Sequence, residues 1–132
     1  MPGLPARMRE RKSDSVFSLI IRKMLIPSRL QKALESLLGS PGETDPALRR
    51  ALLQRARTGI GEVAEPLQAF AGKIASQPWT VTDEDFLRQR AAGYSEDQIF
   101  EVVLASALGA GLQRFDAGLR ALKDADAEIE AL

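Results

Sequence analysis

Residues 95–123, SEDQIFEVVLASALGAGLQRFDAGLRALK, decide the fold. Ser95 with Gln98 three positions later is a capping box, and Glu96 and Asp97 place negative charge at the positive end of a helix dipole. Leu104, Leu108, Leu112, Phe115, Leu119 and Leu122 then recur at spacings of four and three, one apolar stripe along a helix. Ile99, Val102 and Val103 widen the stripe at its start. The pattern predicts a single long helix from about Glu96 to Lys123. Between positions 105 and 111 every residue except Leu108 is Ala, Ser or Gly. Gly109 and Gly111 each cost about 1 kcal/mol of helix propensity against alanine. Close approach of another helix offsets such a cost; a ligand pocket is the competing explanation.

The rest of the chain also reads as helices separated by local stop signals. Thr82 caps a helix that opens with Asp83-Glu84-Asp85, and Gly93 closes it in the left-handed conformation. A short helix is expected from about Val63–Pro66 to Ser76, with Gln77-Pro78-Trp79 as a connector. Asp45-Pro46 starts another, a capping carboxylate followed by proline at the first helical position, and Gly59-Ile60-Gly61 ends it. Gly39-Ser40-Pro41-Gly42 breaks the chain after a helical stretch carrying Leu30, Ala33, Leu34, Leu37 and Leu38. Before it, Ser13 or Asp14 caps a helix with Val16, Phe17, Leu19, Ile20, Met24 and Leu25, which Pro27 ends or kinks. No alternating strand pattern and no internal repeat occur. The expected fold class is all-α, with about five or six helices and a long C-terminal one. The expected organisation is a basic arm at 1–14, a helical extension at 15–44 and a helical domain at 45–132.

Composition removes whole classes of chemistry. The chain has 132 residues, 45% hydrophobic and 27% charged, which suits one soluble domain. It has no cysteine, and so no thiolate nucleophile, redox pair or iron–sulfur cluster. It has no histidine either, which removes the usual general base near neutral pH and the commonest metal ligand. No metal or other cofactor is expected. The balance of 18 basic and 18 acidic residues conceals a split. Residues 1–58 hold 12 Lys/Arg against 5 Asp/Glu, and residues 59–132 hold 6 against 13. Val16 to Ile26 is interrupted by Arg22 and Lys23, so neither a signal peptide nor a membrane span is expected, and the cytoplasm is the expected location.

Several side chains invite functional readings beside plainer ones. Asp83, Glu84 and Asp85 offer carboxylates, yet consecutive helical residues diverge and the dipole accounts for all three. Glu62 and Glu65 read foremost as acids near a helix start. Arg114 is either an anion-binding residue or half of a structural salt bridge, with Glu101, Asp116 or a residue on another helix as partner; the salt bridge is the stronger expectation. Arg22, Lys23, Arg29 and Lys32, with the arm before them, would suit nucleic acid or an anionic membrane. Packing against a neighbouring subunit explains the same segment with fewer assumptions.

Gly93-Tyr94-Ser95-Glu96-Asp97-Gln98-Ile99, followed by the small-residue helix leading to Gln113-Arg114-Phe115, resembles the C-terminal half of the carboxymuconolactone decarboxylase / AhpD-like alkylhydroperoxidase family. Asp45-Pro46-Ala47-Leu48-Arg49 resembles the opening helix of that domain, so the likeness extends over about residues 45–123. The resemblance implies an AhpD-like helical bundle that assembles as a homo-oligomer. Redox members of the family carry Cys-x-x-Cys-x-x-x-His shortly before the glycine. Aligned on Gly93, Pro78 and Val81 stand where the cysteines would be and Asp85 where the histidine would be. Thiol peroxidase and disulfide reductase chemistry is therefore excluded, and the histidine used by the decarboxylase branch is missing too. The expectation is a catalytically degenerate member with a binding or scaffold role. The alternative is a lyase- or isomerase-like enzyme using Glu62, Glu65, Asp85 and Arg114 on a small organic acid. Trp79, Phe86, Tyr94 and Phe100 cluster where the redox motif would lie, and would either line a pocket for an apolar small molecule or simply fill the core.

Overall fold

Local stop and start signals set the element boundaries. In the computed structural model, which describes residues 28–132, α1 is Ser28–Gly39, α2 Pro46–Thr58, α3 Leu67–Ser76, α4 Asp83–Ala91 and α5 Glu96–Ala131, with one 3₁₀ turn at Pro78–Thr80. No strand occurs among the described residues. The expected basic arm and the helix from Val16 lie outside them. Leu38–Leu132 form one compact unit, distinct from the chain before it.

Each cap follows from the side chain placed there. Asp45 accepts from the Ala47 amide at 2.9 Å, and Gly59 closes α2 at φ 75° with its amide on the Arg55 carbonyl. The Thr82 side chain and Asp85 form a reciprocal capping box for α4, as Ser95 and Gln98 do for α5. Gly93 follows α4 at φ 100°. The short helix α3 begins at Leu67, so Glu62 and Glu65 precede it rather than occupy its first turn. Glu65 still caps it by accepting from the Ala69 amide at 3.2 Å. Helix α5 runs eight residues past Lys123, because Asp124 to Ala131 contain no Gly or Pro to stop it and are rich in Ala and Glu.

The core unites Leu52 of α2, Val63 of the loop before α3, Leu67, Phe70 and Ala71 of α3, and Ile99, Val102 and Ala105 of α5. The most extensive packing is between α2 and α5. It buries Ala105, Ser106, Gly109 and Ala110, while Leu104 is exposed and Leu108 and Phe115 are only half-buried. Against α2 the inward face of α5 is thus the small-residue face, while Leu112 and Leu119 of the leucine stripe are buried further along the helix. A Cβ on Gly109 would collide with the Leu53 carbonyl oxygen and lie 2.7 Å from the Ala56 Cβ. The two backbones approach too closely for leucine to stand between them. Gly111 has open space around its would-be Cβ. Close helix packing therefore explains Gly109 and not Gly111.

Polar ties fasten the frame. Arg57 of α2 donates to Asp116 of α5 through two nitrogens, at 2.8 and 3.0 Å. Glu101 of α5 accepts from the amides of Glu43 and Thr44 at 2.7 and 2.8 Å and from the Thr44 hydroxyl, with Arg49 at 4.0 Å. This carboxylate holds the loop before α2 onto α5.

Candidate functional site

Helices α4 and α5, joined by the Gly93 turn, form two walls of an open groove of about 880 Å³. Its lining is Phe86, Leu87, Ile99, Phe100 and Val103, rimmed by Asp83, Arg90 and Glu96. Positions 83, 86, 87 and 90 on α4 follow helical spacing, as do 96, 99, 100 and 103 on α5, so each helix turns one continuous face inward. Phe86 is 41% exposed, and Leu87 and Phe100 are 65% exposed. Leu104, one helical turn beyond Phe100, is exposed too. Phe86 is nonetheless firmly seated: its ring meets the buried ring of Phe70 edge-on, centroids 5.4 Å apart at 71°. Arg90 and Glu96 approach to 3.6 Å across the turn.

Two of the four expected pocket aromatics meet here. Phe86 and Phe100 face the same groove. Tyr94 instead packs against the core, and Trp79 stands 79% exposed on the 3₁₀ turn, outside the groove lining. Leu87 and Leu104 extend the apolar surface; Leu87 carries no sequence signal for this, and Leu104 is expected on the buried stripe instead. Their exposure depends on which face of α4 and α5 the core claims.

The candidate acids do not all converge. Asp83 and Glu84 are exposed, whereas Asp85 is buried. Both oxygens of Asp85 lie 3.0 Å from the Lys73 ammonium. One of them also accepts from the Thr82 amide at 2.9 Å and the Thr82 hydroxyl at 3.3 Å. The Thr82 amide and the Lys73 ammonium hold the Asp85 carboxyl below its ordinary range. A carboxylate so engaged is a structural cap and ion pair, poorly placed to accept a proton from substrate. Glu65 lines the same small cavity of about 150 Å³ as Asp85, Lys73 and Gln89, while Glu62 is exposed and belongs to neither this cavity nor the groove. Among the described residues, no three acids gather as a metal site would require.

Arg114 departs from the expected salt bridge. Asp116 is taken by Arg57, and Glu101 by the Thr44 loop and Arg49. Arg114 instead borders a separate cleft between α2, α3 and α5. The residues of the expected enzyme site, Glu62, Glu65, Asp85 and Arg114, are therefore not brought to one place. No described helix is long and apolar enough to cross a membrane.

A scan of protein-family models, a search of curated proteins and a search of solved structures each return no match to this chain.

Proposed function

We propose that this chain is a catalytically silent, AhpD-like helical protein that serves as a homo-oligomeric binding scaffold, with the α4–α5 groove as the face through which copies join. One observation carries this reading: Phe86, Leu87, Phe100 and Leu104 stand exposed on adjoining faces of two well-capped helices. Contiguous apolar surface of this kind on a soluble protein marks an interaction site. Aromatic anchors inside a charged rim are the usual anatomy of a protein interface.

The occupant is a second copy of the chain. Asp83 and Glu96 lie on the rim beside Arg90, so the border carries both signs. An interface related by a two-fold axis must be self-complementary, and a mixed rim allows Arg90 of one copy to face an acid of the other. A ligand of one charge would be matched better by a rim of the opposite sign. Silence toward catalysis rests on the absent thiol and imidazole, on Asp85 tied to Lys73 and Thr82, and on the separation of Arg114 from the acids.

Sedimentation velocity of the full chain at micromolar concentration tests the reading. A species at a multiple of 14.4 kDa is expected, and a strict monomer overturns it.

A further inference from the structure

The cleft between α2, α3 and α5 is a second feature, and no residue lines both it and the α4–α5 groove. It encloses about 430 Å³, within the range of small-molecule sites. Among the described residues, its only charged lining side chains are Arg55 and Arg114, and no carboxylate lines it. This is unexpected for the unit Leu38–Leu132, which holds 10 Lys/Arg against 15 Asp/Glu. Four of the unit's eight arginines meet acids: Arg57 with Asp116, Arg49 with Glu101, Arg88 with Asp85, and Arg90 with Glu96. Arg114 has no ion pair or hydrogen bond among the described residues.

Arg55 is pre-set by the fold. Its Nη1 donates to the Gly61 carbonyl, just beyond the left-handed Gly59 that ends α2. Gln113 stands beside Arg114 as a neutral donor, and Gly72 and Ala75 of α3 line the wall between. A Cβ on Gly72 would meet nothing within 4 Å, so small side chains leave this wall open.

We infer that this cleft binds a small organic oxyanion, a carboxylate or phosphate group on a compact apolar body. The guanidinium groups of Arg55 and Arg114 take the anionic end, and the Gly72–Ala75 wall takes the apolar end. Guanidinium presents a planar fork of donors that matches carboxylate and phosphate oxygens, and two such groups without a competing acid leave an unbalanced positive site.

The test is an amide-resolved NMR titration of the full chain with butyrate and, separately, with phenyl phosphate, each against sodium chloride at equal ionic strength. Saturable shifts at Gly59, Gly72 and Gln113 with either probe support the site, and the tighter probe identifies the anionic group. Arg114 is exposed, so Arg114→Gln is expected to keep the same helicity and oligomeric mass. It weakens the better probe roughly tenfold or more, the effect of losing a charged hydrogen-bond donor. Arg114→Lys restores part of the loss. Shifts that do not saturate, that chloride reproduces, or that persist unchanged in Arg114→Gln overturn the inference.

Discussion

Gly109 of α5 faces the backbone carbonyl of Leu53 in α2, with no room for a side chain between them. The contact places the two longest described helices of the unit against each other by their backbones. Gly111, two residues further along the helix, faces open space. The two glycines therefore predict opposite outcomes for the same substitution. Gly109→Ala is expected to destabilise by about 1–3 kcal/mol, the usual cost of overpacking, despite better helix propensity. Gly111→Ala is expected to stabilise by up to about 1 kcal/mol, since only propensity changes. Urea denaturation of both variants checks this; an equal gain in stability from each would contradict the packing described.

Glu101 is the acceptor that fixes the loop before α2. Glu101→Ala strips partners from the Glu43 and Thr44 amides, of which Thr44 is buried. A loss of about 1–3 kcal/mol follows from leaving such donors unpaired. Hydrogen exchange should show early opening at Glu43 and Thr44 in this variant. Unchanged protection there would show that the loop is held by other means.

Stability should fall on acidification through three carboxylates. The Thr82 amide and Lys73 lower Asp85, and the Arg57 hydrogen bonds lower Asp116. Burial pushes Glu101 upward, but Thr44, the Glu43 amide and Arg49 outweigh it and leave it lowered. A carboxyl that is more acidic folded than unfolded contributes fully above its unfolded value, about 3.9–4.3, and loses that contribution as pH falls through its folded value. Urea midpoints should therefore be level near neutrality and drop below about pH 4. Asp116→Asn should flatten this acid limb slightly, by under about 1 kcal/mol, because that pair is one-third exposed. A midpoint that stays constant down to about pH 2 would contradict the assignment.

Trp79 is the only tryptophan and stands in solvent. Its native emission should lie close to that of the unfolded chain and be readily quenched by acrylamide. A blue-shifted, protected emission would place it in an interior and contradict its position on the 3₁₀ turn.

Local signals in the sequence were enough to place the elements. Asp45, Gly59, Thr82 and Ser95 act through hydrogen bonds within a few residues, and each marks a helix end in the structure. Which face of a helix is buried depends on distant chain, and there the periodicity holds only in part: Ile99, Val102, Leu112 and Leu119 are buried as the stripe expects. Leu104 continues the leucine stripe, yet Ala105, Ser106 and Gly109 turn inward because α2 comes too close for larger side chains. Long-range ion pairs were equally hidden. Asp116 lies two residues from Arg114 but pairs with Arg57, 59 residues away. The sequence groups Phe86 and Phe100 with Trp79 and Tyr94, and only the packing of α4 and α5 separates the two that share the groove. Trp79 and Tyr94 share their neighbourhood in sequence but not their surface, since Tyr94 packs against the core and Trp79 projects from the 3₁₀ turn.

The proposed homo-oligomeric role of the α4–α5 groove is tested most directly by light-scattering mass of the full chain beside the double variant Leu87→Ser, Phe100→Glu. The expected result is a multiple of 14.4 kDa for the natural sequence and 14.4 kDa for the variant, with unchanged helical circular dichroism. A natural chain that runs as a monomer at tens of micromolar, or a helical variant that keeps the natural oligomeric mass, would contradict it.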